Sequence, residues 1–322
     1  MRKILLALLI LFVSCSSLYA GEVKKFDSKI LDVELKTNAI TLYENIPFAQ
    51  GFAQGVLTYS LTMDILQPAG KNPLPLIVYV TGGGFIMAPK NNWIQQRMRL
   101  AESGYVVASI EYRNAPLAKF PQPLQDVKAA IRWLRAHAGQ FNIDADRVGI
   151  LGNSAGGYLS SFVGLTNGMK EFEAGDFLDY SSDVKCAANI FGITDVRNIG
   201  MDYDTENQKG HASAGSTEAL WVLGTSTFGG KDGGVLAHPE ESAKASPVEY
   251  ASEKSAPMLF MHGDADKLVS PGQTDLLFQA LKSKGVETER YIVKNAAHGG
   301  PYWVQEPVIK IMIDFFDKYL KK

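Results

Sequence analysis

The sequence predicts a three-layer α/β domain, a mostly parallel central sheet with helices on both faces. Five apolar runs, "LPLIVYVTG", "YVVASIEYR", "RVGILGN", "CAANIFGI" and "APMLFMHG", are nearly continuous instead of alternating. Strands buried on both faces of a parallel sheet have that character. Stretches of helical period separate the runs, the strand, helix, strand rhythm of right-handed crossovers. The composition, 46% hydrophobic and 20% charged over 322 residues, is that of an ordinary globular chain able to bury such a core.

The chain begins "MRKILLALLILFVSCSSLYAG". Arg2 and Lys3, the apolar stretch Ile4 to Val13 and the small and polar residues after it have the layout of a secretory signal. Residues 1–20 are expected to be removed, leaving 21–322 as a single exported domain, periplasmic or secreted. The stretch is too short to span a bilayer. "FVSCSS" is the alternative: a lipoprotein box with Cys15 acylated, which makes the protein membrane-anchored.

"ILDVEL" and "GVLTYSLTMDIL" are expected as two early strands; alternation over "LTYSLTMDI" suits an antiparallel pair at a sheet edge. Pro123 to His137 places Leu124, Val127, Ala130, Ile131 and Leu134 on one helical stripe facing the sheet. Ala155 to Leu165, Gln273 to Leu281 and Val308 to Leu320 have the same period. Between the sixth and seventh core strands, "CAANIFGI" and "APMLFMHG", lies a long segment rich in Gly, Ser and Asp. It is read as a cap-like insertion over residues 195–255, with short helices around Glu218 to Leu223 and Pro239 to Ala245. "YIVKNAAHGG" ends one more strand.

A formal charge of -2 offers no broad cationic surface for nucleic acid. Beyond Cys15 the only cysteine is Cys186, so the mature chain has no pair for an internal disulfide, and Cys186 beside an apolar run reads as a buried core thiol. Histidines are scattered, and no Cys or carboxylate cluster has ligand spacing; neither metal nor cofactor is expected.

Chemistry concentrates at the carboxyl ends of the strands, where open α/β sheets place their sites. "GNSAGG" fits Gly-x-Ser-x-Gly with Gly152, Ser154 and Gly156, after a strand and opening a helix. Such a turn points the serine oxygen clear of the sheet, and bulk two residues before or after would collide with it. The helix start supplies N–H groups for developing negative charge. In "TGGGF" three glycines let a backbone loop approach a ligand oxygen, so that with the Ala155 N–H they can form an oxyanion hole. "DADKLV" offers Asp264 and Asp266, and "AAHGG" offers His298; serine, acid, histidine is the order expected on this fold.

Taken in order, "LTMDILQP", "TGGGF", "EYRNAP", "FPQPLQDVKAAIRWL", "GNSAGG", "HGDADKLV" and "AAHGG" resemble the α/β-hydrolase superfamily. More narrowly they resemble bacterial esterases related to hormone-sensitive lipase and the BD-FAE-like feruloyl and acetyl esterases of plant polysaccharide degradation. The resemblance runs from about Leu57 to the C-terminus and implies Ser154 as nucleophile, His298 as base and Asp266 as orienting acid. It implies Gly83, Gly84 and Ala155 as oxyanion donors. Gly263 and Val269 bracket Asp266 as the family's Gly-x-x-Asp-x-x-Val pattern requires, leaving Asp264 as a turn-stabilising carboxylate. The family usually has His where this chain has Thr81, and the resemblance implies that the side chain there braces the glycine loop.

His262 is expected to prop the acid loop, and His137, His211 and His238 to be structural or solvated. Arg113 and Asp126 are expected as a paired framework contact. An ester is the expected substrate, cleaved through an acyl-enzyme. Turnover should fall in acid, since an ordinary histidine titrates near about 6.5. Export favours acetyl or feruloyl groups on plant polysaccharide, and Phe85, Trp221, Phe228 and Tyr302 are candidate substrate contacts, with Tyr203 and Trp303 nearby. A general short-chain carboxylesterase or lipase is the main alternative, and a non-catalytic binding member of the fold the next.

Overall fold

In a computed structural model of the chain, residues 29, 31–53 and 57–321 are described. The expected signal and Cys15 lie outside them. Residues up to Lys36 divide off as one unit, whose described part carries no helix or strand; Thr37–Lys322 form the second.

Among the described residues of the second unit, eight strands make one sheet in the order β1(Ile40–Ala53), β2(Leu57–Pro68), β4(Val106–Ile110), β3(Leu74–Val80), β5(Ile143–Asn153), β6(Cys186–Ile190), β7(Met258–Gly263), β8(Thr288–Val293). The pairs from β4 through β8 are parallel, and β1 and β2 join antiparallel at one edge. Alternate residues of β3 show why the central strands read as unbroken apolar runs. Leu76, Val78 and Val80 enter one hydrophobic cluster while Ile77 and Tyr79 enter the other, on the opposite face. Helices α2(Gln122–Ala136), α3(Ala155–Leu165) and α7(Gly272–Ser283) supply the first cluster with Leu124, Ile131, Leu159, Phe162 and Leu277. Helices α1(Ile94–Glu102) and α8(Glu306–Leu320) supply the second with Leu100, Met312, Phe315 and Phe316.

Two elements depart from expectation. "ILDVEL" carries no strand over its described residues, 31–35; the first strand is β1. Its alternation is hidden in the sequence because the pairing shifts register between Tyr43 and Ile46 and again between Pro47 and Ala49, with Asn45 at φ 56°. Helix α1 was not expected either: it buries Gln96 and Arg97 beside Leu100 and Ala101, so its inner face is not an apolar stripe.

Between β6 and β7 the chain forms α4(Thr205–Ala212), α5(Thr217–Leu223) and α6(Pro239–Lys244). Asp204 caps α4 by accepting the Asn207 N–H at 2.8 Å, and Ser216 caps α5 by accepting that of Ala219 at 3.1 Å.

Candidate active site

The serine sits where β5 turns into α3. Ser154 has φ 54° and ψ -122°, a conformation costly for a residue with a side chain. Neighbouring glycines make that turn sterically feasible. A Cβ on Gly152 would lie 2.0 Å from the Gly156 carbonyl oxygen, and one on Gly156 would lie 2.0 Å from that of Val80. Hydrogen bonds hold both flanks: Ser154 N–H donates to Ile190 O at 2.9 Å, and Tyr158 N–H donates to Ser154 O at 2.9 Å.

The acid and the histidine come from the loops after β7 and β8. His298 Nε2 lies 2.8 Å from Ser154 Oγ, and its Nδ1 lies 2.7 Å from Asp266 Oδ2. A carboxylate only accepts, so Nδ1 carries a proton, and Nε2 is the nitrogen that faces the serine hydroxyl. Asp266 Oδ1 accepts the N–H groups of Leu268 and Val269 at 2.9 and 3.1 Å. Burial alone would push this carboxyl up, but hydrogen bonds from His262 and His298, the His298 charge and the Leu268 N–H together hold it well below the usual carboxylate range.

His262 reaches the same acid from behind. Its Nε2 is 3.2 Å from Asp266 Oδ2 and 3.0 Å from Val269 O; the carbonyl can only accept, so Nε2 is the protonated nitrogen. Thr274 Oγ1 stands 3.1 Å from Nδ1. Asp264 instead accepts the Asn295 N–H at 2.6 Å and ties the acid loop to the histidine loop. The remaining histidines contact other parts of the fold: His137 meets Trp133 O, His211 meets Glu218, and His238 meets Asp232 O.

The glycine loop lies against the serine turn. A Cβ on Gly82 would come within 2.5 Å of Asn153 O and 2.8 Å of Ser154 Cβ. Gly84 and Phe85 take φ 59° and 68°. Among the described residues no protein acceptor takes the N–H of Gly83, Gly84 or Ala155. With Thr81 in place of the usual histidine, two other contacts brace the loop: Tyr112 Oη donates to Thr81 O at 3.0 Å, and Ala115 N–H donates to Phe85 O at 2.9 Å. Thr81 Oγ1 itself is buried without a hydrogen-bond partner.

Two candidate substrate contacts need correction. Phe85 is 2% exposed and Trp221 0%. Their rings stack on each other at 4.5 Å, and each meets Tyr158 edge-on, so both faces belong to the core. Tyr302, 41% exposed, stays open to solvent, and the Phe228 side chain lies outside the described residues. Tyr203 donates to Asp266 O at 2.9 Å and so supports the acid loop. Arg113 and Asp126 make the expected framework pair, with Arg113 Nη2 2.7 Å from Asp126 Oδ1. Cys186 is a buried free thiol.

Sequence reasoning missed Phe191. It follows β6 at φ 44° and sets its ring 4.8 Å from that of His298, against Trp303 at 4.6 Å. An apolar residue at the end of an apolar run carries no chemical signal of that contact. Among the described residues no three His, Cys, Asp or Glu side chains gather as a metal site, and no helix is long and apolar enough to cross a membrane.

A mostly parallel sheet covered by helices on both faces, with serine, acid and histidine presented in that order from loops after its strands, defines the α/β-hydrolase fold. Within that class the chain belongs to the BD-FAE family, whose model matches residues 63–281. It is similar to esterase LipC of Mycobacterium tuberculosis, 28% identical over 70% of this chain and 53% of that protein. Isoprenylcysteine alpha-carbonyl methylesterase ICME of Arabidopsis thaliana is 23% identical over 79% of this chain and 57% of its own. The chain thus spans about half the length of the curated relatives it matches. Among solved structures, a truncated form of a carbohydrate esterase from gut microbiota superposes with TM-score 0.76 at 28% identity, covering 89% of this chain and 98% of that one. The esterase Est2 of Thermogutta terrifontis shares the fold at TM-score 0.63 and 22% identity, covering 85% of this chain and 93% of its own.

Proposed function

We propose that the protein is a serine carboxylic-ester hydrolase that works through an acyl-enzyme. The observation that carries this is the unbroken hydrogen-bonded series from Ser154 through His298 to Asp266. Serine is a weak nucleophile at its free pKa, so His298 Nε2 takes the hydroxyl proton as Oγ attacks the ester carbonyl. Asp266 holds the imidazole in the required tautomer and stabilises the cation that forms. The carbonyl oxygen becomes negative within reach of Gly83, Gly84 and Ala155 N–H groups, whose alignment is set before reaction. His298 returns its proton to the leaving alcohol, and water activated by the same nitrogen then releases the acid.

The substrate we propose is an acetyl or feruloyl ester on plant polysaccharide, met by an exported protein whose residues 1–20 direct it out of the cytoplasm. Support comes from the likeness to a gut-microbial carbohydrate esterase and from the signal-like N-terminus. A general short-chain carboxylesterase is the second reading, favoured by the likeness to LipC. A hydrolysis panel of acetylated xylan, methyl ferulate, short aryl esters and a peptide amide decides between them. Ser154→Ala, run beside it, should lose at least about 10³-fold in turnover while remaining folded. Full esterase turnover in that variant removes the nucleophile assignment.

A further inference from the structure

β2 pairs with β4 only from Met63 to Leu66, and it runs antiparallel to it. The part of β2 before Met63, with the β1 residues paired to it, therefore overhangs the C-terminal edge of the parallel strands, the edge that carries Ser154. Ser60 and Leu61 of this overhang form one wall of a groove of about 430 Å³. Ile86 and Met87 of the glycine loop form a second wall, and Glu111 and Asn114, just beyond β4, a third. Backbone packing through the glycines links the Met87 wall of the groove to the serine turn. A Cβ on Gly83 would lie 2.2 Å from Met87 O and 2.5 Å from its Cγ, while one on Gly82 would lie 2.8 Å from Ser154 Cβ.

The walls are fixed before anything binds. Glu111 N–H donates to Thr62 O at 3.0 Å, Ala115 N–H to Phe85 O at 2.9 Å and Tyr112 Oη to Thr81 O at 3.0 Å. Glu111 Oε2 accepts both the N–H and the hydroxyl of Thr62, at 2.9 and 2.8 Å, which sets the plane of the carboxylate. Its Oε1 has no protein partner among the described residues. Ile86 and Met87 are 44% and 53% exposed. The groove thus offers an oriented acceptor, an amide, a hydroxyl and two exposed aliphatic chains within contact range of the glycine loop.

An acyl chain placed there would strip water from Glu111 Oε1 and give it no donor in return. A sugar ring supplies both needs, hydroxyl donors at its edge and C–H groups on its face. We propose that this groove is the subsite for the alcohol half of the ester, a sugar ring donating a hydroxyl to Glu111 Oε1 and resting on Met87 and Ile86. The assignment rests on the esterase reading above and deepens it.

The test compares kcat/KM on an acetylated xylo-oligosaccharide with kcat/KM on p-nitrophenyl acetate, whose alcohol half carries no sugar. Glu111→Gln keeps an acceptor for Thr62 while removing the charge, and Asn114→Ala and Met87→Ser alter side chains outside the strand pairing. The ratio of sugar ester to aryl ester should fall about tenfold in Glu111→Gln and in Met87→Ser, mainly through KM. If Glu111→Gln does not fold, the same ratio in Met87→Ser decides. An unmoved ratio overturns the assignment, as does a wild type that cleaves the aryl ester but not the sugar ester. So does a loss confined to methyl ferulate, which would make the groove an acyl pocket. A wild type inert on every ester refutes the esterase reading itself, a separate outcome.

Discussion

One oxygen of Asp266 meets two imidazoles and the other meets two backbone N–H groups, so the carboxylate is held from four directions. Its pKa lies below the ordinary value, and the sign of that shift fixes a pH prediction. A depressed carboxyl stays ionised as pH falls from neutral and protonates only below its ordinary range near about 3.9. Asp266 should therefore add no titration step of its own to a plot of log kcat/KM between about pH 6 and about pH 4. A carbon-13 shift of the Asp266 carboxyl that titrates in that range would overturn this. Asp266→Asn tests the same contact differently: an amide can present N–H to Nδ1 and select the wrong tautomer, so turnover should drop by about 10⁴-fold with the fold retained. A drop of less than about tenfold would show that the acid does not orient the base.

At the scale of elements, the junction of β3, β5 and α3 sets the serine, and it depends on backbones closer than any side chain permits. Gly156→Ala places a methyl 2.0 Å from Val80 O, inside a packed core, where neither strand nor helix can withdraw. We expect loss of at least about 3 kcal/mol in urea unfolding, or failure to fold. Wild-type stability and turnover in that variant would disprove the packing argument. This junction was also the most legible part of the sequence, because one steric demand sets both the glycine spacing and the strand-to-helix change. The acid and the histidine were legible for a similar reason: each follows a strand, the buried β7 or the half-exposed β8, among small residues. β1 was not, because its pairing irregularities break the alternation that reveals a strand. Helix α1 was hidden by Gln96, buried for a purpose no periodicity records: it accepts from Tyr79 Oη at 2.5 Å and donates to Trp303 O at 2.6 Å. Phe85 and Trp221 misled because an aromatic residue near a motif looks the same in sequence whether its ring faces substrate or core.

At the scale of the molecule, the chain between β6 and β7 touches both loops that serve the serine. On the acid side, Ser270 N–H donates to Ile199 O at 3.0 Å, Gln273 Nε2 to Asn198 O at 2.7 Å and Tyr203 Oη to Asp266 O at 2.9 Å. On the glycine-loop side, Trp221 stacks on Phe85, meets Tyr112 edge-on at 6.3 Å, and accepts the Phe120 N–H on its carbonyl at 2.8 Å. A detachable cap would bury its aromatics within itself, whereas this indole fills the main core. Trp221→Ala therefore separates two roles for the segment. If it is part of the core, the variant loses about 3–5 kcal/mol in urea unfolding, and acetate and ferulate esters lose turnover together as Phe85 and the glycine loop shift. If it only covers the substrate, stability holds within about 0.5 kcal/mol and the preference between the two esters changes. The stacking on Phe85 and the edge-on contact with Tyr158 favour the first outcome, because the cavity left by the ring would open directly behind the loop proposed to aim its N–H groups at the reacting oxygen.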